Sequence, residues 1–316
     1  MSTFKRSVLI TGCSHGGAGS ALALEFATRG LRVFATARSL KSIANLAESG
    51  IETLALDVTD QASIAAVKAE ISKRTGGTLD MLYNNAGSMY EVPAIEADPA
   101  RVRAMFDANV FGLFDMVTAF TPLLLAAAHT NTSRSNKQQQ QQQPTIVNVA
   151  SIVSRIPLPF AAAYNASKAG VSAYSDTLRL ELAPLGIRVV TVFMGEVATK
   201  LRSADKIDFG AESLYADVEG KLKERIEHGV RVSVAPEVFA RQVVDKMLVQ
   251  GGGDGVSYIW KGTNAFLVWF LNAVGSRKVF DSIMKGFVGF DDKVLVKLIY
   301  ERGRRAVGKV EGVSSS

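Results

Sequence analysis

Short apolar runs alternate with amphipathic stretches along most of the chain. SVLIT (7–11) is the first such run and leads into a glycine-rich segment. ALALEFATRG (21–30) then spaces its apolar residues at helical intervals and ends on glycine. LRVFATAR (31–38), IETLALDV (51–58) and LDMLYNNAG (79–87) hold a second, third and fourth strand. QQPTIVNVAS (142–151) holds a fifth and GIRVVTVF (186–193) a sixth. Helical patterns fill the gaps, with a long one near 99–128. Strands that alternate with helices predict βαβ units and a parallel sheet, because a parallel pair needs a long crossover. No boundary before about residue 195 justifies a second domain.

Two apolar stretches need separate treatment. Residues 116–133 are uncharged but contain Pro122 and His129 and end polar, so they predict a buried helix followed by a loop. Residues 262–276 are also uncharged but fall short of the roughly 20 residues that span a bilayer. The segment NTSRSNKQQQQQQP (131–144) has no side chains with which to build a core and is expected to be a solvated, disordered insertion. The N-terminus shows no apolar run of signal-peptide type before the first strand.

Composition narrows the function classes. The 316 residues are 47% hydrophobic, enough for one large α/β core. A single cysteine, Cys13, excludes an intrachain disulfide and is consistent with a reducing, cytoplasmic setting. The net charge is +6, but from Lys261 onward ten Lys or Arg face five Asp or Glu, so 10 − 5 = +5 sits in the tail. The body is nearly neutral, which argues against a nucleic-acid-binding core.

The first candidate chemistry is TGCSHGGAG (11–19), placed after a strand and before a helix, as a dinucleotide loop requires. Gly12 permits the tight turn, Gly17 and Gly19 allow close approach to a pyrophosphate, and the helix N-terminus presents free N–H groups to phosphates. Ser14 and His15 lie within this loop. About 20 residues on, where an NAD site carries an acidic residue for the ribose hydroxyl, the chain reads Thr36-Ala37-Arg38. Arg38 offers a forked contact to a 2′-phosphate, which predicts NADP(H). The second candidate is AAAYNASKAGVSAY (161–174), an Ala-rich helix in which Tyr164 and Lys168 stand one turn apart on one face.

Together these motifs resemble the short-chain dehydrogenase/reductase family. The matching residues run from Thr11 to about Thr199: the glycine loop, Asp57 in LDV, NNAG at 84–87, Asn109 in DANVFG, Ser151 in NVAS and YNASK at 164–168, with Ser151 thirteen residues before Tyr164. The resemblance implies a Rossmann-type doubly wound sheet in one catalytic domain over residues 1–260, followed by an extension over 261–316. It implies that Tyr164 donates a proton to the substrate carbonyl while the nicotinamide gives hydride. Lys168 would lower the phenol pKa and bond the ribose, Ser151 would hold the substrate oxygen, and Asn109 would anchor a water relay. It also implies cofactor contacts from Asp57 and Val58 at the adenine, from Asn85, Ala86 and Gly87 along the nucleotide, and from Gly195, Val197 and Thr199 at the nicotinamide. No metal site is implied.

Three positions depart from the family pattern. The glycine loop is one residue longer than the commonest form, Met194 stands where proline is usual, and Ala150 replaces a frequent serine. The first two are similar to a fungal-type subgroup that includes NADPH-dependent acyl-dihydroxyacetone-phosphate reductases, which act on a keto lipid at the ER or lipid-droplet surface. Other members with this loop serve secondary-metabolite pathways. Substrate classes of lipid ketone and of terpenoid, polyketide or steroid-like ketone both remain open. A non-catalytic NADP sensor is disfavoured because Asn109, Ser151, Tyr164 and Lys168 are all retained. Past the catalytic motifs, NAFLVWFLNAV (264–274) is strongly apolar and is followed by basic residues. It predicts either a helix closing the substrate pocket or packing against a second subunit, or an interfacial anchor on an anionic membrane. Relatives pair through two long helices, here near 99–128 and 161–183, so a homo-oligomer is a family expectation.

Overall fold

The six apolar runs become strands β1 (Ser7–Ile10), β2 (Arg32–Ala37), β3 (Glu52–Ala55), β4 (Met81–Asn84), β5 (Thr145–Ser151) and β6 (Arg188–Met194). A seventh, β7 (Tyr258–Lys261), was not legible as a strand. It is four residues long, and it is held to β6 by the stacking of Trp260 on Phe193, with ring centroids 4.0 Å apart. All pairs are parallel, in the order β3-β2-β1-β4-β5-β6-β7. The computed structural model describes residues 5–132, 143–248 and 256–313. The Gln-rich insertion expected over 131–144 lies largely outside the described residues.

Helices α1 (Ala18–Thr28), α2 (Ala44–Glu48), α3 (Gln61–Thr75), α4 (Pro99–Phe106), α5 (Gly112–Thr132) and α6 (Ala162–Leu182) make or extend the crossovers. α7 (Ala216–Val232), α8 (Pro236–Leu248), α9 (Ala265–Val274), α10 (Asp281–Val288) and α11 (Lys293–Val313) follow β6. Successive strand residues point to opposite faces. Val8 and Ile10 pack with Phe26 of α1 and with Phe239 and Val243 of α8, whereas Leu9 packs on the other face with α3, α5 and α6. Burial on both faces explains why the strands read as continuous apolar runs rather than as an alternation.

The run 99–130 is long and apolar enough to cross a membrane by length and composition. Here Met116, Val117, Phe120 and Leu124 of α5 are buried in the core beneath the sheet, so it is an interior helix, as its sequence predicted. α4 and α5 are joined by a π-helical turn, Asp107–Phe111, which carries Asn109. Such turns shift the side-chain register and recur at functional sites. The strand order reverses between β1 and β4, and at the carboxyl ends of those strands a crevice opens where open α/β sheets take ligands.

Candidate active site

The glycine loop is shaped by backbone contacts. Gly12 has φ +72°, and a Cβ there would lie 2.8 Å from the Ala86 Cα. A Cβ on Gly19 would fall 2.5 Å from both the Asn85 Nδ2 and the Gly12 carbonyl oxygen. Gly19 therefore seats α1 closely against the loop and the end of β4. Gly16, with φ +75°, is the second left-handed residue of the loop, and the motif reading did not single it out. Asn85 reinforces this arrangement. Its Nδ2 donates to the carbonyls of Thr11 (2.9 Å) and Gly12 (3.0 Å), while the Thr11 Oγ1 accepts from the backbone of Asn85 and Ala86 (3.0 and 2.9 Å).

At the far end of the loop, the His15 backbone N–H donates to the Ser42 carbonyl (2.8 Å), and the Ser14 and Ser42 hydroxyls lie 3.3 Å apart. Ser14, His15 and Arg38 line the same end of the crevice. Asp57 and Val58 line it beside them. The Asp57 carboxylate accepts from the Thr59 N–H (3.0 Å) and hydroxyl (2.7 Å) and is close enough to Arg38 to feel its charge. Those contacts hold the Asp57 carboxyl below its usual range, the Thr59 N–H bond contributing most.

The opposite end gathers residues from β5, α6 and the π-helical turn. Ser151 ends β5, and its Oγ donates to the Met194 carbonyl and accepts from the Val153 N–H, both at 3.3 Å. Tyr164 and Lys168 are buried one turn apart on α6, with the Lys168 Nζ 6.0 Å from the Tyr164 ring centroid. Nζ donates to the Val149 carbonyl (2.9 Å). Burial pushes the Lys168 ammonium down to about 8 and the Tyr164 phenol up to about 12, with the Ser151 hydroxyl pulling the phenol the other way. The expected lowering of the phenol by Lys168 is thus not what the chain alone produces. The ammonium serves a backbone carbonyl, and desolvation outweighs the neighbouring donor.

Asn109 bridges two elements. Its Oδ1 accepts from the Ser88 N–H (2.7 Å), and its Nδ2 donates to the Ser88 carbonyl (2.9 Å) and to the Ser167 hydroxyl (3.1 Å). Gly87 lies between Asn109 and Lys168: a Cβ there would meet Oδ1 at 3.0 Å and Nζ at 3.6 Å. Behind this group, Asn84 donates to Asn148 across the β4–β5 pair (2.9 Å), and Asn148 donates to Ser175 of α6 (3.0 Å). The chain enters α6 through Phe160, whose φ of +63° is rare for a bulky residue. The rings of Phe209, Tyr215 and Phe290 hold it, with centroids 5.1, 5.5 and 5.7 Å away.

One cavity of about 930 Å³ connects these parts. It runs from Ser14 and Arg38, past Asn85, Gly87, Val197 and Thr199, to Ser151, Tyr164 and Lys168. Beyond Tyr164 it continues into an apolar chamber walled by Ile156, Leu158, Leu271, Phe280, Met284 and Phe287. Two partners at this end were not foreseen, Glu91 and Arg202. The Arg202 Nε and Nη2 bond the Glu91 carboxylate at 3.0 and 2.7 Å, both side chains being largely buried. Residues separated by 111 positions leave no local signal of their pairing. Ser167, by contrast, sits inside the YNASK motif and could have been named from it.

A profile of the short chain dehydrogenase family matches residues 6–208. The chain belongs to this family. Among curated relatives, the NADPH-dependent 1-acyldihydroxyacetone phosphate reductase of Schizosaccharomyces pombe is 46% identical over 199 residues. The match covers 63% of this chain and 62% of that protein, so it spans less than two thirds of either. Short-chain dehydrogenase srdE of Neurospora crassa is 35% identical over 86% of this chain and 88% of its own. A solved short-chain dehydrogenase from Streptomyces avermitilis superposes with a TM-score of 0.69 at 25% identity, over 90% of this chain and 99% of that one. A match over 90% of the chain is longer than the stretch the family profile spans, so the likeness in fold extends past those residues.

Proposed function

We propose that this dehydrogenase is an NADPH-dependent carbonyl reductase whose substrate is a hydrophobic ketone, an acyl-dihydroxyacetone-phosphate-like lipid in the first instance. The observation that carries the reading is the single cavity, in which a glycine loop with Arg38 at one end and an apolar chamber at the other meet at Tyr164. Its volume lies at the upper end of the roughly 300–1,000 Å³ usual for ligand sites, which suits a dinucleotide and a long substrate together. Ser14, His15 and Arg38 would hold the 2′-phosphate. Gly12, Gly17 and the α1 N-terminus would hold the pyrophosphate, and Asp57 and Val58 the adenosine. Asn85, Ala86, Gly87, Lys168, Val197 and Thr199 would line the nicotinamide riboside. NADPH, when bound, supplies the hydride.

The chain's own groups manage the proton. Tyr164 remains protonated at neutral pH, so its hydroxyl donates to the carbonyl oxygen as negative charge develops there. The two contacts of Ser151 are long for O–H···O and N–H···O bonds, which frees its hydroxyl to turn toward the same oxygen. Lys168, with its pKa near 8, exchanges protons readily close to neutrality and returns one toward the phenolate. Asn109 fixes the Ser88 backbone and Ser167 on either side, so that Lys168 and Gly87 keep their spacing.

The apolar chamber opens at a rim suited to a lipid surface. Leu267 and Ile283 line the chamber and are themselves half exposed. Next to them α9 leaves Phe266, Trp269, Phe270 and Val274 in solvent, and Lys278, Lys285 and Lys293 follow, also exposed. An apolar helix face with basic neighbours fits the interface of an anionic membrane, where a lipid ketone would be handed directly to the chamber. Pairing of two copies through α5 and α6 is a separate expectation, checked by the mass of the protein in solution.

The test is NADPH oxidation with an acyl-dihydroxyacetone phosphate in mixed micelles beside a panel of cyclic terpenoid and polyketide ketones. Turnover of the acyl lipid supports the reading. Turnover confined to cyclic ketones replaces it with a pathway-specific reductase whose α9–α10 segment is a pocket wall.

A further inference from the structure

A small side pocket of about 100 Å³ opens off the main cavity on its substrate side. It shares Met89, Tyr90, Arg101, Leu201 and Arg202 with that cavity and is completed by Glu91, Ser203, Lys206 and Ile207. Three cations and one carboxylate border it, a net of 3 − 1 = +2. Glu91 is committed to Arg202 through Nε and Nη2. Arg101 lies with its guanidinium carbon 3.9 Å above the Tyr90 ring, and Lys206 donates to the carbonyls of Lys200 and Leu201 (2.5 and 3.2 Å). Among the described residues, neither Arg101 nor Lys206 has a carboxylate within ion-pair distance. Asp205, beside Lys206 in sequence, accepts the Ser203 hydroxyl and is close enough to feel the Lys206 charge without pairing with it.

Two cations held in no ion pair, lining a concave site beside a buried one that is already braced, make a receptor for an anion. The volume is that of roughly three waters, the scale of one phosphate group. An arginine placed over an aromatic ring offers a forked N–H edge, which suits the oxygens of a phosphate better than a mobile ammonium. Such a group would sit to one side of Tyr164, while an attached acyl chain would follow the apolar wall of α9 and α10.

We propose that this side pocket binds the phosphate monoester of the substrate, with Arg101 and Lys206 as its ligands and Arg202, braced by Glu91, as its wall. The assignment rests on the lipid-ketone reading and names the part of the molecule that separates a phosphorylated lipid from a neutral ketone.

Two measurements on the wild type, Arg101→Gln, Lys206→Gln and Arg101→Lys test it. The first is the ratio of kcat/KM for acyl-dihydroxyacetone phosphate to that for its unphosphorylated counterpart. The second is calorimetric binding of glycerol 3-phosphate to the NADPH-loaded protein. Each Gln variant is expected to lower the ratio at least tenfold through KM and to weaken glycerol 3-phosphate binding by a similar factor, with partial recovery in Arg101→Lys. A wild-type protein that reduces the phosphorylated lipid while both Gln variants keep the ratio and the binding within twofold overturns the side pocket and leaves the substrate reading standing. Binding of glycerol 3-phosphate that weakens in the Gln variants, without turnover of the acyl lipid, keeps the side pocket and overturns the substrate. Absence of glycerol 3-phosphate binding by the wild type overturns the side pocket outright. Thermal unfolding of each variant excludes a folding defect as the cause of any loss.

Discussion

The two ends of the cavity are built on different terms. The nucleotide end is a backbone structure, in which glycines set the path and carbonyls and amides hold it. The substrate end is a side-chain structure, to which α9, α10, α4 and the segments after β4, β5 and β6 all contribute groups. A backbone site tolerates little change and keeps a local motif. A side-chain site is assembled from distant positions and varies freely, so related chains share a cofactor end and differ in what they reduce.

The sharpest way to break this comparison lies at the junction of the two ends. Tyr164→Phe keeps the ring and removes only the proton donor, so kcat is expected to fall about 10³-fold while NADPH affinity is retained. Fluorescence titration with NADPH beside steady-state rates checks it, and substantial residual turnover would reject the mechanism. At the nucleotide end, Arg38→Asp is expected to weaken NADPH binding by about 10–100-fold and to spare NADH, since one charge-assisted contact is lost and a repulsive one gained. Unchanged selectivity would mean that the backbone alone discriminates.

Gly19→Ala probes the backbone more gently. The added carbon meets the Gly12 carbonyl at 2.5 Å, which cannot yield without moving the loop. Overpacking of this kind costs about 2 kcal/mol, and a lowered Tm that NADPH only partly restores is the expected result. An effect of similar size, visible only as a trend with pH, is electrostatic. Burial lowers the Lys168 pKa to about 8 from its ordinary 10.5, so between those values the unfolded chain binds more protons than the native one. Stability contributed by this group therefore rises as pH climbs through the window, and below pH 8 its burial penalty is present in full. Denaturant unfolding at pH 8 and pH 10 should show wild type gaining on Lys168→Met by roughly 2 kcal/mol, since each pH unit is worth about 1.4 kcal/mol. Staying within that window avoids the opposite trend expected above pH 10 from Tyr164, whose raised pKa removes stability as pH rises.

Most of the sheet was readable because burial on both faces writes each strand as an apolar run. β7 escaped because four residues after a glycine-rich segment carry too little pattern, and its place depends on Phe193 stacking from another strand. The candidate catalytic cluster was readable because Tyr164, Lys168 and Ser151 keep fixed spacings on one helix and one strand end, and the fold brings them to one cavity. The Glu91–Arg202 pair and the left-handed Phe160 were not, since each is created by elements that meet only after folding. Even within the glycine motif, the sequence named the residues without their contacts: that Gly19 also makes room for Asn85 and Gly12 appears only when the loop meets the end of β4.

Cys13, the single cysteine, lies fully buried in the glycine loop with its Sγ on the Ile10 carbonyl, and burial pushes its thiol up to about 12. A thiol so protonated and enclosed is a poor nucleophile. The folded enzyme consequently presents a surface blank to maleimides and spin labels. A cysteine placed at Val274 or Tyr300 would be the sole reactive handle, and the C-terminal helices could be fitted with a reporter without first stripping the molecule of its own sulfur.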